Sequence, residues 1–172
     1  MHFLFIVDPL EQFDISKDTS FSMMREAQGR GHRLSVCLSE DLWWQAGGPV
    51  LARVRPIRLT GETSPWFEEE PTQIVALKDL DAVLMRKDPP FDDEYIYATH
   101  LLEQAEREGA RVFNKPAALR NHPEKLAIME WPQFIGPTLV TRRADEIRRF
   151  HAEHGDIILK PLDGMGGTGI FR

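Results

Sequence analysis

Four short apolar runs, "HFLFIV" (2–7), "RLSVCL" (33–38), "DAVLMR" (81–86) and "ARVFN" (110–114), are separated by stretches with helical character. This alternation constrains the fold more than any other feature, because strands joined by crossover helices build a parallel sheet covered on both faces. The expected class is therefore α/β with a doubly wound parallel sheet in the N-terminal part. A first helix is predicted to start near Asp18 or Thr19, whose side chains can accept backbone N–H bonds. It covers "SFSMMREAQGRG" with Phe21, Met24 and Gln28 at helical spacing, and Gly29 and Gly31 offer its stop. A second helix, "DDEYIYATHLLEQAEREG", opens on three acids that suit the positive end of a helix and finishes at Gly109. Its apolar stripe is Tyr95, Ala98, Leu102 and Ala105.

Between the second and third runs, apolar and polar residues alternate from Val50 to Leu59, which predicts extra strands or a hairpin insertion. The acidic run Glu68–Glu70 reads as a solvated loop, and Trp43, Trp44 and Trp66 read as core or interface anchors. After "NKPAALRNHPEK" the texture changes. A second unit is expected there: a short helix from Pro123, a strand "TLVT", a helix "RADEIRRFHAEHG" and a strand "DIILKPL". The domains are accordingly 1–122 and 123–172.

With 42% hydrophobic and 28% charged residues, the chain has the composition of a soluble globular protein. The opening "MHFLFIVDPL" is broken by Asp8 and Pro9, so it reads as a first strand rather than a secretory signal or a membrane span. A net charge of −6 opposes broad binding to nucleic acid or to anionic membranes, both of which reward basic surfaces. Cys37 is the one cysteine, which rules out an intrachain disulfide and fits a structural thiol in a reducing cytoplasm. His151 and His154, three residues apart on one helix, have no third ligand in view and read as solvated surface histidines.

The segment "DGMGGTGIFR" (163–172) contains the spacing Gly164-x-Gly166-x-x-Gly169 of a dinucleotide fingerprint. That fingerprint also requires a helix opening at the loop and an acid about 20 residues further on. Ile170, Phe171 and Arg172 begin a strand instead, and a P-loop fares no better without Gly-Lys-Ser/Thr. Directly before the loop, "IILKPL" puts Lys160 at the end of an apolar strand. A fixed cation beside glycines whose N–H groups can wrap phosphate points to nucleotide binding; a tight hairpin is the alternative.

Taken together, "LKPLDGMGGTGIFR" (159–172) resembles the glycine-rich segment of ATP-grasp ligases. With "LMRKDPPFD" (84–92), "YIYAT" (95–99), "FNKP" (113–116) and "EKL" (124–126), the chain resembles the bacterial glutathione synthetases from end to end. The resemblance implies a Rossmann-like, pre-ATP-grasp substrate domain followed by the first part of an ATP-grasp domain. It implies an amide ligase: ATP phosphorylates the cysteinyl carboxylate of γ-glutamylcysteine, and glycine attacks the acyl phosphate to give glutathione, ADP and phosphate. Lys125 and Lys160 would bind ATP, and Asp163, Gly164, Gly166, Gly167 and Gly169 would form the loop that closes on its phosphates.

Arg86 and Asp88 follow the strand "DAVLM" at the carboxyl edge of the expected sheet, where open α/β folds place ligands. They are the first candidates for the dipeptide site, Arg86 for a carboxylate and Asp88 for an amino group, against the alternative of a surface ion pair. Lys17 and Asp18, after the first strand, are weaker candidates, and Asp18 doubles as a helix cap. The resemblance further implies Mg²⁺, a cytoplasmic homotetramer, and a family length nearly twice that of this chain. The metal ligands would lie in the part not present in these 172 residues, which are expected to be inactive alone, either as a truncated protein or as a chain that breaks beside a mobile loop. The other readings are a noncatalytic nucleotide-binding fragment, another ATP-grasp carboxylate–amine ligase, and, on the glycine spacing, an oxidoreductase.

Overall fold

A computed structural model describes residues 1–164 and 166–172. In chain order the strands are β1 (His2–Ile6), β2 (Arg33–Cys37), β3 (Leu42–Trp44), β4 (Val50–Leu59), β5 (Phe67–Glu69), β6 (Gln73–Ala76), β7 (Ala82–Met85) and β8 (Val112–Phe113). The helices are α1 (Thr19–Gly29), α2 (Asp93–Arg107), α3 (Pro116–Asn121) and α4 (Ala144–His154). The four predicted runs form β1, β2, β7 and β8, in the order β2-β1-β7-β8, and every neighbouring pair among them is parallel.

The two faces of this sheet bury different residues because side chains alternate along a strand. Leu4 and Ile6 of β1 pack with Val83 and Met85 of β7 and with Ala98, Leu102 and Ala105 of α2. Phe5 and Val7 pack the other way, with Leu34, Val36 and the α1 residues Met24 and Ala27. One helix covers each face, as a doubly wound sheet requires. Each fully buried side chain of this size contributes about 1.5–3 kcal/mol, so β1 anchors the domain. Cover on both faces also explains β2, where Ser35 and Cys37 are as buried as Val36 despite their alternation in sequence.

Helix α1 is capped by Asp18, whose carboxylate accepts the Phe21 N–H at 2.8 Å, and Asp92 caps α2 through the Tyr95 N–H at 3.0 Å. Gly31 (φ +77°) and Gly109 (φ +104°) turn the chain after each helix in a conformation that disfavours other residues. The predicted α2 stripe is buried as expected. On α1 the buried residues are Ser20, Met24 and Ala27, whereas Gln28 uses its amide to exchange two hydrogen bonds with the Leu59 backbone on β4.

The alternation at 50–59 is one long strand, β4, antiparallel to β2. Its first half pairs with β3 and β6 and its second half with β5, so the insertion widens the sheet. The acidic run is not wholly loop. Glu68 and Glu69 lie on β5, where Arg58 and Arg55 across the pair neutralise them. Trp66 is buried between Phe13, Phe21 and Phe67, whereas Trp44 is half exposed.

Beyond residue 122, α4 forms as predicted, but the two expected strands do not. Among the described residues, 138–141 pair with nothing, and of 156–162 only Leu159 makes a β-bridge, to Phe171. A strand needs a run of paired neighbours for its backbone groups, and among the described residues the first run has none and the second only the single bridge to Phe171. The helix predicted from Pro123 is a single turn followed by a 3₁₀ segment at Ala127–Glu130, and the regular helix before it, α3, has no counterpart in the sequence-based expectation.

Candidate functional site

Strands β1 and β7 lie side by side, and the chain leaves them in opposite directions, through α1 to β2 and through α2 to β8. A crevice opens at the carboxyl end of such a pair. In this chain it is a cavity of about 560 Å³ lined by Asp8, Gln12, Phe13, Asp14, Lys17, Asp18, Thr19, Ser20, Arg86, Asp88 and Pro89. All four residues read from sequence as dipeptide candidates, Lys17, Asp18, Arg86 and Asp88, meet in it.

Each has a distinct setting. Arg86 donates from Nε to the Ser20 hydroxyl at 3.1 Å and from Nη2 to the Thr19 hydroxyl at 2.7 Å, so two hydroxyls at the start of α1 fix its plane. The remaining N–H groups stay available for a carboxylate. Asp88 has its carboxyl raised above the usual range by burial and by the neighbouring carboxylates of Asp8 and Asp18, with Arg86 and Lys87 opposing. Such a group favours an incoming cation. Asp18 is indeed the helix cap and lines the cavity as well. Lys17 pairs with Asp14 at 2.9 Å, and the Ser16 hydroxyl, followed by Lys17, holds the Asp14 carboxyl down at about 2.

Sequence reading missed Asp8, Thr19 and Ser20. Asp8 was recoverable: it follows β1 at the sheet edge just as Arg86 follows β7. Thr19 and Ser20 read only as helix-start residues, because nothing local shows that an arginine 66 residues away would reach Ser20.

A second cleft, about 760 Å³, lies in the later part of the chain. Lys125 and Lys160 both line it, beside an apolar wall that includes Leu139, Val140, Phe150 and Ile158. Lys125 donates from Nζ to the Gly164 carbonyl, and the Phe91 N–H reaches the Asp163 carbonyl at 3.3 Å, so the glycine segment is held at two consecutive carbonyls. Leu159 and Phe171 close its base with two backbone hydrogen bonds, at 2.8 and 3.0 Å. The alternative hairpin geometry is thus present, but turning alone does not account for the glycines. A Cβ on Gly164 would lie 2.9 Å from the Pro161 ring and 3.3 Å from the Thr168 carbonyl, and Gly169 combines φ +70° with a 3.2 Å approach to the same ring. Gly166 and Gly167 also have positive φ; Met165, between Gly164 and Gly166, lies outside the described residues.

Cys37 is buried in the sheet, where burial pushes its thiol far above the usual range and makes it unreactive. His154 packs on Phe150 with ring centroids 4.3 Å apart. Among the described residues, no group of three or more His, Cys, Asp or Glu side chains could hold a metal ion.

The family model described as prokaryotic glutathione synthetase, N-terminal domain, matches residues 1–120, and the one described as its ATP-grasp domain matches residues 124–172. The chain belongs to the prokaryotic glutathione synthetase family. A glutathione synthetase of Ralstonia nicotianae is 55% identical over 172 residues, covering 100% of this chain and 53% of the relative. One of Bordetella parapertussis is 56% identical over 177 residues, covering 100% of this chain and 55% of its own length. The chain therefore spans about half the length of the curated relatives it matches. Among solved structures, the ATP-grasp ligase PsnB complexed with minimal precursor, Mg and ADP is similar over 99% of this chain and 57% of its own, at 22% identity and a TM-score of 0.47. The family's N-terminal match contains the whole switch-point cavity, and its ATP-grasp match contains Lys125, Lys160 and the glycine segment.

Proposed function

We propose that the protein carrying this chain joins γ-glutamylcysteine and glycine into glutathione at the expense of ATP. The cysteinyl carboxylate attacks the γ-phosphorus and ADP leaves; glycine's amine then attacks the acyl carbon, phosphate leaves and the amine loses a proton. The observation that carries this reading is the convergence of Lys17, Asp18, Arg86 and Asp88, from two separate strand ends, on one cavity of a glutathione synthetase family chain.

In that cavity the open edge of the Arg86 guanidinium takes a substrate carboxylate, and the Asp88 carboxylate takes the ammonium of the same amino-acid head. Lys17 and Asp18 border this head group. Lys125 and Lys160 neutralise phosphate oxygens, and backbone N–H groups of the segment Asp163, Gly164, Gly166, Gly167 and Gly169 wrap them, so that the γ-phosphoryl is oriented for in-line attack. Mg²⁺ accompanies the nucleotide and lowers the charge barrier to transfer. The described residues offer no cluster to hold it, and the chain's own side chains bind and orient the substrates without passing through it. The same reading divides the chain at residue 122 into substrate and nucleotide units. It makes the enzyme a cytoplasmic homotetramer whose other partners are small molecules; the net charge is −6, and among the described residues no helix is long and apolar enough to cross a membrane.

The test is product analysis by mass spectrometry on the full-length protein supplied with ATP, Mg²⁺, γ-glutamylcysteine and glycine. Glutathione and ADP should appear in equal amounts, and omitting either substrate should stop both. ATP consumption without glutathione would contradict the assignment.

A further inference from the structure

We propose that Asp8 is a positioning residue of the switch-point cavity, which clamps the Arg86–Asp88 turn and withholds the Lys87 ammonium, leaving Asp88 as the carboxylate that receives a ligand ammonium. The inference rests on the ligase reading above and adds a residue and a specificity device to it.

Both oxygens of Asp8 are engaged, and both engage the turn that follows β7. Oδ1 accepts from Lys87 Nζ at 2.7 Å, and Oδ2 accepts from the Asp88 backbone N–H at 2.8 Å. The contact bridges the ends of β1 and β7, 79 and 80 residues apart in sequence, and two of its residues, Asp8 and Asp88, line the crevice. It fixes the backbone between Arg86, which carries the fork, and Pro89, which shapes the exit. The pair is largely shielded, with the two side chains 20% and 29% exposed, so its attraction is less screened than that of a surface ion pair.

The charge balance of the cavity gives the clamp its second effect. Its lining holds four acids, Asp8, Asp14, Asp18 and Asp88, and two bases, Lys17 and Arg86. Asp14 is occupied by Ser16 and Lys17, Asp18 by the Phe21 N–H, and Asp8 by Lys87 and the Asp88 N–H. Asp88 is the lining carboxylate with no such hydrogen bond among the described residues, and it lines the same cavity as Arg86. Lys87 already acts on Asp88 together with Arg86, and were it released from Asp8 its ammonium would be free to compete with the ligand's own.

Two kinds of loss can therefore be separated in the full-length enzyme. Asp8→Asn keeps an acceptor for the Asp88 N–H but frees Lys87, and should raise the KM for γ-glutamylcysteine about tenfold or more, the worth of a charge-assisted contact, with the KM for ATP within about twofold. The double variant Asp8→Asn, Lys87→Met removes the loose cation and should bring the dipeptide KM back to within about threefold of the wild type. If Asp8→Asn does not fold, Asp8→Glu decides: it keeps the charge but moves the carboxylate by one methylene, and should raise the dipeptide KM about threefold with ATP unaffected. The proposal is overturned if the dipeptide and ATP KM values rise together, if the double variant is no better than Asp8→Asn, or if the folded variants leave the dipeptide KM unchanged. A wild-type enzyme that makes no glutathione would instead overturn the ligase reading itself.

Discussion

Strand β1 leaves Leu4, Phe5 and Ile6 no more than 1% exposed, whereas the comparably apolar run at 157–159 leaves Ile158 60% and Leu159 39% exposed. The same contrast holds between the regions they belong to. The first has parallel neighbours on both sides of β1 and a helix on each face; from residue 123 onward none of the described residues is buried. Apolar sequence is thus a request for burial, and backbone pairing decides whether it is met. The two candidate clefts differ accordingly. The switch-point cavity lies at the ends of paired strands, while the lysine cleft is framed by α4, the unpaired run at 137–140 and the segment 156–160 with its isolated bridge.

The sharpest way to break this comparison is to truncate one side chain in each region. Leu102→Ala, in the α2 stripe against β1, should lower the unfolding free energy by about 2–5 kcal/mol. Ile158→Ala in the same 172-residue chain should change it by less than about 0.5 kcal/mol, because little is lost where little is buried. Urea unfolding followed by circular dichroism measures both, and similar costs would mean that the later region has a core of its own.

Much of the first region was legible in the sequence because its signals are local and mutually consistent. The four strand runs, a cap at Asp18 or Thr19, the acids that open α2, and the stripe from Tyr95 to Ala105 all follow from spacing and side-chain chemistry. The acidic run at 68–70 was misread because its neutralising partners, Arg55 and Arg58, are contributed by a different strand. The strands expected at 138–141 and 156–162 were misread for the opposite reason: propensity was present, but among the described residues the only paired neighbour is the bridge from Leu159 to Phe171. In the site, the ends of β1 and β7 could be placed from the order of strands and helices. What could not be read was the connection between them, the hydroxyls of Thr19 and Ser20 on Arg86 and the carboxylate of Asp8 on Lys87.

A smaller effect sharpens the comparison from the side of pH. His2, at the start of β1, accepts or donates a hydrogen bond with the Ser35 hydroxyl at 2.8 Å, and burial, followed by Arg33, lowers its folded-state pKa below the ordinary 6.5. The unfolded chain then binds the proton more readily than the folded one. His2 therefore supports stability fully above pH 6.5, and that support is lost as the pH falls through 6.5 to the lower folded value. Urea midpoints measured across this window should decline toward acid in the wild type and decline less in His2→Gln; parallel curves would remove His2 as the source.

The central claim is that the chain carries two separate binding places, one for the amino-acid head at the ends of β1 and β7 and one for ATP at Lys125, Lys160 and the glycine segment. Isothermal titration of the full-length protein with γ-glutamylcysteine and, separately, with Mg-ATP tests it most directly. Arg86→Lys keeps the charge but loses the planar fork, and should weaken dipeptide binding alone. Lys160→Ala should weaken ATP binding alone, by about 10- to 150-fold for a lost charge-assisted contact. Either variant weakening both ligands equally, or Lys160→Ala leaving ATP affinity unchanged, would contradict the account.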